Sequence, residues 1–163
     1  MPTAYINIGS NQGDRRANIA RAVALIADTL NVKPQLSSAI ESEPWGYDSD
    51  SLYLNIGLAF DTRLSPEALL DVLLSIERSI SAASHRKPDG SYADRIIDID
   101  LIAYGDTPID MTQTPSGNSL TLPHPRMHLR KFVLLPMLQL APEWTHPVTG
   151  LTPADMLQKL KIV

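Results

Sequence analysis

The chain has 163 residues, a formal net charge of −4 and 44% hydrophobic residues. These values predict one folded domain over residues 1–163, with a substantial core, rather than a disordered segment. The acidic balance argues against broad binding to nucleic acid or anionic membranes. There is no cysteine, so disulfides and thiolate metal sites are excluded, and no apolar run approaches the roughly 18 residues of a membrane span. We expect a cytoplasmic monomer that acts on small molecules.

The first part of the chain predicts strands around one helix. Alternating apolar residues over 4–9 predict a strand, and an apolar stripe predicts a helix from about Arg16 to Leu30. Residues Lys33 to Glu43 predict a second, less regular strand, and the loop 44–50 that follows carries two aromatic residues. The clearest strand runs from Leu52 to Phe60, with an apolar face and a mixed, partly polar face.

The second part predicts a helix, a strand and a helical tail. Ser65-Pro66-Glu67 is typical of a helix start, and this helix extends to about Ile80. Segment 81–94 lacks periodicity, and a connection of this length is usually functional or disordered. Further elements are predicted at 94–102, 127–139 and 153–161. The order predicts an α+β fold, a ferredoxin-like βαββαβ sandwich with helices on one sheet face and extra C-terminal helices.

The most informative motif is a pair of aspartates in the apolar run 94–102. Asp98 and Asp100 are two residues apart, so in a strand their side chains share one face. Two adjacent carboxylates on a half-buried strand would cost several kcal/mol if they were not neutralised. Mg²⁺ takes oxygen ligands and usually brings a polyphosphate with it. The motif therefore predicts metal-assisted phosphoryl chemistry; the alternative is a pair of solvated carboxylates on an edge strand.

Basic residues are concentrated in segment 124–131, which holds three cations and two histidines with no acid. Arg126 and Arg130 are four residues apart, which in a helix places them on one face, and the planar guanidinium suits phosphate. His124, between two prolines, could donate to a phosphate or ribose oxygen, and Arg95 precedes the aspartate strand. The alternatives are an ordinary basic helix face, a structural histidine and a surface ion pair.

The polar face of the strand 52–60 offers a platform for a flat ligand. Tyr53 could stack on a heterocycle and Asn55 could hydrogen-bond its edge. Trp45 and Phe132 are either core residues or a second stacking wall. The turn Gly9-Ser10-Asn11 matches neither a Walker A motif nor G-x-G-x-x-G, so it is a weak phosphate signal.

A set of motifs distributed along nearly the whole chain resembles one enzyme family. They are Gly9-Ser10-Asn11, Glu41–Gly46, Tyr53-Leu54-Asn55, Asp94–Asp100, Leu122-Pro123-His124, Arg130, Phe132 and Leu140–Glu143. The chain is similar to the 6-hydroxymethyl-7,8-dihydropterin pyrophosphokinases of folate biosynthesis. The resemblance implies a ferredoxin-like fold, transfer of the β,γ-pyrophosphoryl group of ATP to the pterin hydroxymethyl oxygen, and release of AMP.

The resemblance also implies roles for individual residues. It places two Mg²⁺ ions on Asp98 and Asp100, which with Arg95 and Arg130 form the catalytic set, and makes ATP the co-substrate. The ATP-binding residues it implies are Arg95, His124, Arg130, Thr121, Leu120, Glu77 and Arg86. The pterin-binding residues it implies are Ser42, Trp45, Tyr53, Asn55 and Phe132, with the pterin between Tyr53 and Phe132.

The chain departs from the family pattern at one phosphate-contacting position. Many members carry Gly-Arg at the end of the second helix, where this chain has Ser81-Ala82, and Arg86, His85 or Lys87 could replace that arginine. Two other classes of protein are consistent with the motifs. One is a D-x-D nucleotidyl- or glycosyltransferase. The other is a binding module without catalysis, supported by the missing Gly-Arg and opposed by the intact aspartate pair.

Overall fold

The computed structural model describes residues 1–47, 49–81, 96–112, 114 and 116–162. Within these ranges an antiparallel five-stranded sheet packs with four α-helices, and two further strands form a separate small sheet. The elements in chain order are β1 (Thr3–Ser10), α1 (Arg15–Leu30), β2 (Gln35–Leu36), β3 (Ile40–Ser42), β4 (Tyr53–Asp61), α2 (Pro66–Ile80), β5 (Asp98–Tyr104), β6 (Ile109–Met111), β7 (Leu120–Leu122), α3 (Lys131–Leu140) and α4 (Pro153–Ile162).

The main sheet has the strand order β2-β4-β1-β5, and β3 also pairs with β4. All its pairings are antiparallel. The predicted second strand is two short strands, because residues 35–36 and residues 40–42 pair with different parts of β4. The hairpin of β6 and β7 was not predicted, since strands of three residues are too short to show a period. The mixed α/β class is confirmed.

Local sequence signals account for the two long helices. The Asp14 carboxylate accepts from the Ala17 amide at 3.1 Å and caps α1, and the Ser65 hydroxyl accepts from the Ala68 amide at 3.2 Å and caps α2. Each cap satisfies a backbone donor that the first helical turn leaves without a partner. The predicted start of the second helix at Ser65 is confirmed.

The helix predicted over 127–139 is interrupted. Residues Met127–Leu129 form a 3-10 turn, Arg130 has an extended backbone, and α3 begins only at Lys131. Arg126 and Arg130 therefore flank a 3-10 turn instead of sharing one α-helical face, which corrects the prediction made from their spacing. The turn is closed by the Arg130 amide donating to the Met127 carbonyl at 3.1 Å.

One face of the sheet carries the main core with α1 and α2. Most apolar residues predicted to share a face in each strand are buried there together, whereas Leu52, predicted to begin the third strand on this face, lies before β4 and is exposed. The buried set includes Ala4, Ile6, Ile8, Leu54, Leu58, Phe60, Ile97, Ile99 and Leu101. The predicted alternation of β1, β4 and β5 is therefore confirmed.

The other face is divided between helices and an open cleft. Helix α3 lies so close to β4 that a Cβ built on Gly57 would come within 2.7 Å of the Pro136 Cβ. The side-chain nitrogen of Asn7 donates to the Phe132 backbone carbonyl at 3.0 Å, and this bond joins β1 to α3. Helix α4 packs on this face as well, because its Met156 is buried in one apolar cluster with Leu134 of α3. Helices therefore lie on both sheet faces, which corrects the prediction of helices on one face: apolar residues of α3 and α4 pack on the second face and leave only part of it open. Within the described ranges, no helix has the length and apolar character needed to cross a bilayer.

Candidate active site

The register of three neighbouring strands forms the floor of the open cleft. Gly9 of β1 is paired with Asn55 of β4 on one side and with Asp98 of β5 on the other. In the next row of the same face, Asn7 is paired with Asp100. Residues far apart in sequence thus meet on one surface, because paired residues in a sheet point to the same face.

A cavity of about 350 Å³ lies over this floor, a size typical of small-molecule sites. It brings together ten residues of the described chain that the sequence singled out: Ser42, Trp45, Tyr53, Asn55, Asp98, Asp100, His124, Arg126, Arg130 and Phe132. Gly9 also lines it, and a Cβ there would lie 3.0 Å from the Asn55 side-chain oxygen and 3.2 Å from the Tyr53 ring. The missing side chain of Gly9 therefore keeps this part of the cavity open.

Asn55 is fixed at one end of the cavity. The residue is 2% exposed, and its side-chain nitrogen donates to the Ser42 hydroxyl at 2.8 Å and to the Ile40 carbonyl at 3.3 Å. The amide nitrogen therefore faces β3, while the amide oxygen lies above Gly9. The Asn55 oxygen is a hydrogen-bond acceptor beside the Tyr53 ring, since both lie within 3.2 Å of the position of a Cβ on Gly9.

Arg130 provides positive charge in the cavity, with its guanidinium 5.7 Å from the Phe132 ring centroid. Its side chain is 12% exposed, and Nη1 lies 3.8 Å from Oδ2 of Asp100, too far for a hydrogen bond. The Arg130 Nε is buried and has no hydrogen-bond partner within the part of the chain that the structure describes. The guanidinium lies 4.5 Å from the Trp45 ring centroid, and that of Arg126 lies 5.6 Å from the same ring. Such a guanidinium can accept an anionic ligand without breaking an existing strong bond.

His124 is held as a neutral hydrogen-bond donor. Its Nδ1 accepts from the Arg126 amide at 3.1 Å, which assigns the proton of the neutral ring to Nε2. Burial, together with the charge of Arg130, lowers the pKa of His124 to about 4, although Asp98 opposes this shift. At neutral pH the ring is therefore uncharged and donates through Nε2.

Three residues with an implied role in ATP binding lie outside the cavity lining. Glu77 is 6% exposed, and its Oε2 accepts from the Ile99 amide at 2.9 Å, between the two aspartates. Leu120 is buried in the main core, whereas Thr121 is exposed on β7. The His124 amide donates to the Ile102 carbonyl at 2.7 Å and so joins the end of β7 to β5.

Some residues that the sequence analysis named lie outside the described residues. Some residues that line the cavity were not named in the sequence analysis. Arg95, Arg86, His85, Lys87 and Ala82 lie outside the described residues. Lining residues missed from the sequence are Asn7, Glu43, Tyr47 and Pro125. Asn7 could have been found, because it is a polar residue on the β1 face opposite the core.

The site combines two strand carboxylates, an arginine with an unsatisfied donor, a neutral histidine donor and an aromatic wall beside an amide acceptor. On an antiparallel α/β frame, this combination suits the binding of an anionic ligand beside a flat ligand, as a transferase acting on two such substrates requires.

A sequence profile of the 7,8-dihydro-6-hydroxymethylpterin-pyrophosphokinase (HPPK) family matches residues 5–142. Two relatives are named 2-amino-4-hydroxy-6-hydroxymethyldihydropteridine pyrophosphokinase. The one from Methylorubrum extorquens is 36% identical over 98% of this chain and 94% of its own length. The one from Porphyromonas gingivalis is 35% identical over 90% of this chain and 95% of its own length. The chain belongs to the HPPK family, and the resemblance noted from the sequence is confirmed.

Solved structures share this fold. Wild-type HPPK-DHPS of Plasmodium falciparum with pteroate superposes with a TM-score of 0.73 at 16% identity, covering 97% of this chain and 42% of that one. A second HPPK-DHPS structure, in complex with substrates, has a TM-score of 0.72 at 14% identity, covering 97% and 43%. This chain spans less than half the length of those two chains, and at these identities the likeness establishes the fold.

Proposed function

We propose that this chain transfers pyrophosphate from ATP to 6-hydroxymethyl-7,8-dihydropterin, giving the pterin pyrophosphate and AMP in tetrahydrofolate biosynthesis. Family membership supports the reaction. The observation that carries the proposal at the level of residues is the buried Arg130 Nε, which has no partner among the described residues, beside Asp100 in a cavity with an aromatic wall.

The acceptor end of the cavity suits a pterin. The pterin ring lies between Tyr53 and Phe132, which both line the cavity and are the stacking partners that the family resemblance implies. The Asn55 oxygen accepts from the amino-pyrimidine edge of the pterin, and its nitrogen remains bonded to Ser42. Burial of Asn55 makes this acceptor selective, since a ligand without a matching donor leaves it unsatisfied.

The donor end suits a triphosphate. Arg130 binds phosphate oxygens through its guanidinium, and His124 adds a neutral donor at Nε2. Trp45 packs against the Arg130 guanidinium and limits its freedom before ATP arrives. Arg95, Arg86, Glu77, Leu120 and Thr121 keep the roles in ATP binding that the family resemblance implies.

The residues present fit magnesium. Asp98 and Asp100 supply carboxylate oxygens on one strand face, the ligand type that Mg²⁺ prefers. Across the described chain, no group of three or more histidine, cysteine or acidic side chains could hold a metal ion, so this pair would hold magnesium together with ATP oxygens and water. We infer that this pair holds two Mg²⁺ ions, which when bound neutralise triphosphate charge and polarise the reacting oxygens.

The protein's own side chains contribute to the proposed reaction by positioning the substrates and by electrostatic stabilisation. Nη1 of Arg130 lies 3.8 Å from Oδ2 of Asp100, and Glu77 holds β5 in place by accepting from the Ile99 amide. A preformed arrangement needs little reorganisation when ATP and the pterin bind together. No side chain is assigned as a general base.

The whole chain takes part in the proposed function. Residues 1–163 act as one pyrophosphokinase domain of ferredoxin-like layout, a layout supported by the antiparallel order β2-β4-β1-β5. We further propose that the protein works as a cytoplasmic monomer on small molecules and not on nucleic acid, which the net charge of −4 favours. Sedimentation at the mass of one subunit tests the monomer.

One assay tests the reaction. The purified chain is mixed with ATP, Mg²⁺ and 6-hydroxymethyl-7,8-dihydropterin, and products are separated by chromatography. AMP and the pterin pyrophosphate should form together, and neither should form without the pterin. ADP with a pterin monophosphate would contradict pyrophosphate transfer. Binding of both substrates without any product would favour a binding module, and product formation only with another acceptor would favour a different D-x-D transferase.

A further inference from the structure

The loop between β3 and β4, residues 43–52, is tied to the end of β1 by one buried side chain. Asn11 is 4% exposed, and its amide nitrogen donates to the Tyr47 hydroxyl at 3.1 Å and to the Ser51 carbonyl at 3.2 Å. A third hydrogen bond holds the loop, because the Arg15 guanidinium donates to the Leu52 carbonyl at 3.1 Å. The described part of this loop is therefore held at Tyr47, Ser51 and Leu52.

Tyr47 connects the loop to Tyr53 in the lining of the cavity. Gly46 has a φ of +86°, a left-handed conformation that turns the chain just before Tyr47. Tyr47 lines the same cavity as Tyr53, and the two hydroxyl oxygens are 2.9 Å apart. A continuous chain of hydrogen bonds therefore runs from Asn11 through Tyr47 to Tyr53.

We propose that Tyr47, held by Asn11, is a positioning residue that fixes the Tyr53 ring and so sets the geometry of the acceptor end of the cavity. This inference rests on the proposed function, in which Tyr53 stacks on the pterin. A tyrosine ring restrained only by packing can tilt, whereas a hydroxyl bonded to a fixed partner holds one orientation. Tyr47 acts through Tyr53 and does not take part in pyrophosphate transfer.

The test removes one oxygen. Tyr47→Phe keeps the ring and loses the bonds to Asn11 and Tyr53, and a neutral hydrogen bond accounts for roughly a three- to tenfold change in an equilibrium constant. We expect KM for the pterin to rise by that factor, while kcat and KM for ATP stay within about twofold. In a Tyr53→Phe background, where the partner hydroxyl of Tyr47 is absent, Tyr47→Phe should change KM for the pterin less than about twofold.

The matched control is Tyr104→Phe. The Tyr104 hydroxyl donates to the Leu64 carbonyl, and Tyr104 is not a residue of the cavity lining, so its loss should leave KM for the pterin unchanged. An unchanged KM in Tyr47→Phe, or single effects that multiply in the double variant, would overturn the inference. Calorimetric titration with the pterin alone accompanies the kinetics. If the wild-type chain binds the pterin without forming AMP, the proposed function fails, and the pterin affinities of the same variants still decide the role of Tyr47.

Discussion

The depressed pKa of His124 makes folding stability depend on pH in a direction that can be worked out. Burial and the Arg130 charge lower its pKa from 6.5 to about 4 in the folded chain. Between these two values the unfolded chain carries a proton on this ring and the folded chain does not, so acidification favours unfolding. The stability associated with neutral His124 is present above pH 6.5 and is lost as the pH falls toward 4.

The magnitude follows from the same two values. Integrating proton binding from pH 7 to pH 5, with a pKa of 6.5 unfolded and about 4 folded, gives a loss of about 2 kcal/mol from this group. The matched variant is His124→Asn, because the asparagine side-chain oxygen can still accept from the Arg126 amide that His124 Nδ1 now accepts. In the variant this contribution should disappear.

Urea unfolding of both proteins at pH 7 and pH 5, with a chelator and without nucleotide, measures the effect. The wild type should lose about 2 kcal/mol more than His124→Asn on acidification, and comparing the two proteins cancels the contributions of the other groups. Proton NMR titration, with the His124 signal identified by its absence in the variant, should show a pKa well below 6. Equal losses in the two proteins, or a His124 signal that titrates near 6.5, would refute the reasoning.

Three further substitutions test the floor of the site and its packing. Asp100→Asn removes a carboxylate from the proposed metal pair and should lower AMP formation by about 100-fold or more, with the melting temperature retained. Gly9→Ala places a Cβ 3.0 Å from the Asn55 side-chain oxygen and should raise KM for the pterin several-fold in steady-state assays. Gly57→Ala places a Cβ 2.7 Å from the Pro136 Cβ, so overpacking should cost about 1–3 kcal/mol and lower the melting temperature by roughly 2–12 °C in calorimetry.

For each of the three substitutions, one result would contradict the prediction. Near-normal AMP formation by folded Asp100→Asn would remove that residue from the metal pair. A wild-type KM in Gly9→Ala would mean that the neighbouring side chains yield without cost to pterin binding. An unchanged melting temperature in Gly57→Ala would mean that α3 moves away from β4 without losing packing energy.

The strands show how much of the fold could be predicted. The two-residue period of β4 and β5 was sufficient to assign their core faces, since side-chain alternation is a local property of an extended chain. The start of α2 was readable for a similar reason, because Ser65 caps the helix within three residues. The division of 33–43 into two strands and the break at Arg130 were not readable, because they depend on what β4 and α3 pack against.

The sequence by itself determined which chemical groups the site could use: a pair of carboxylates on one strand face, a cluster of cations, and an aromatic residue beside an amide. Only the tertiary structure decided that they form one site. Pairing of β1 with both β4 and β5 places Asn55 and Asp98 on either side of Gly9, where the missing side chain leaves space. Burial beside Arg130 keeps His124 neutral. Spacing along the chain fixes what a single strand presents, whereas strand register and burial depend on residues distant in sequence.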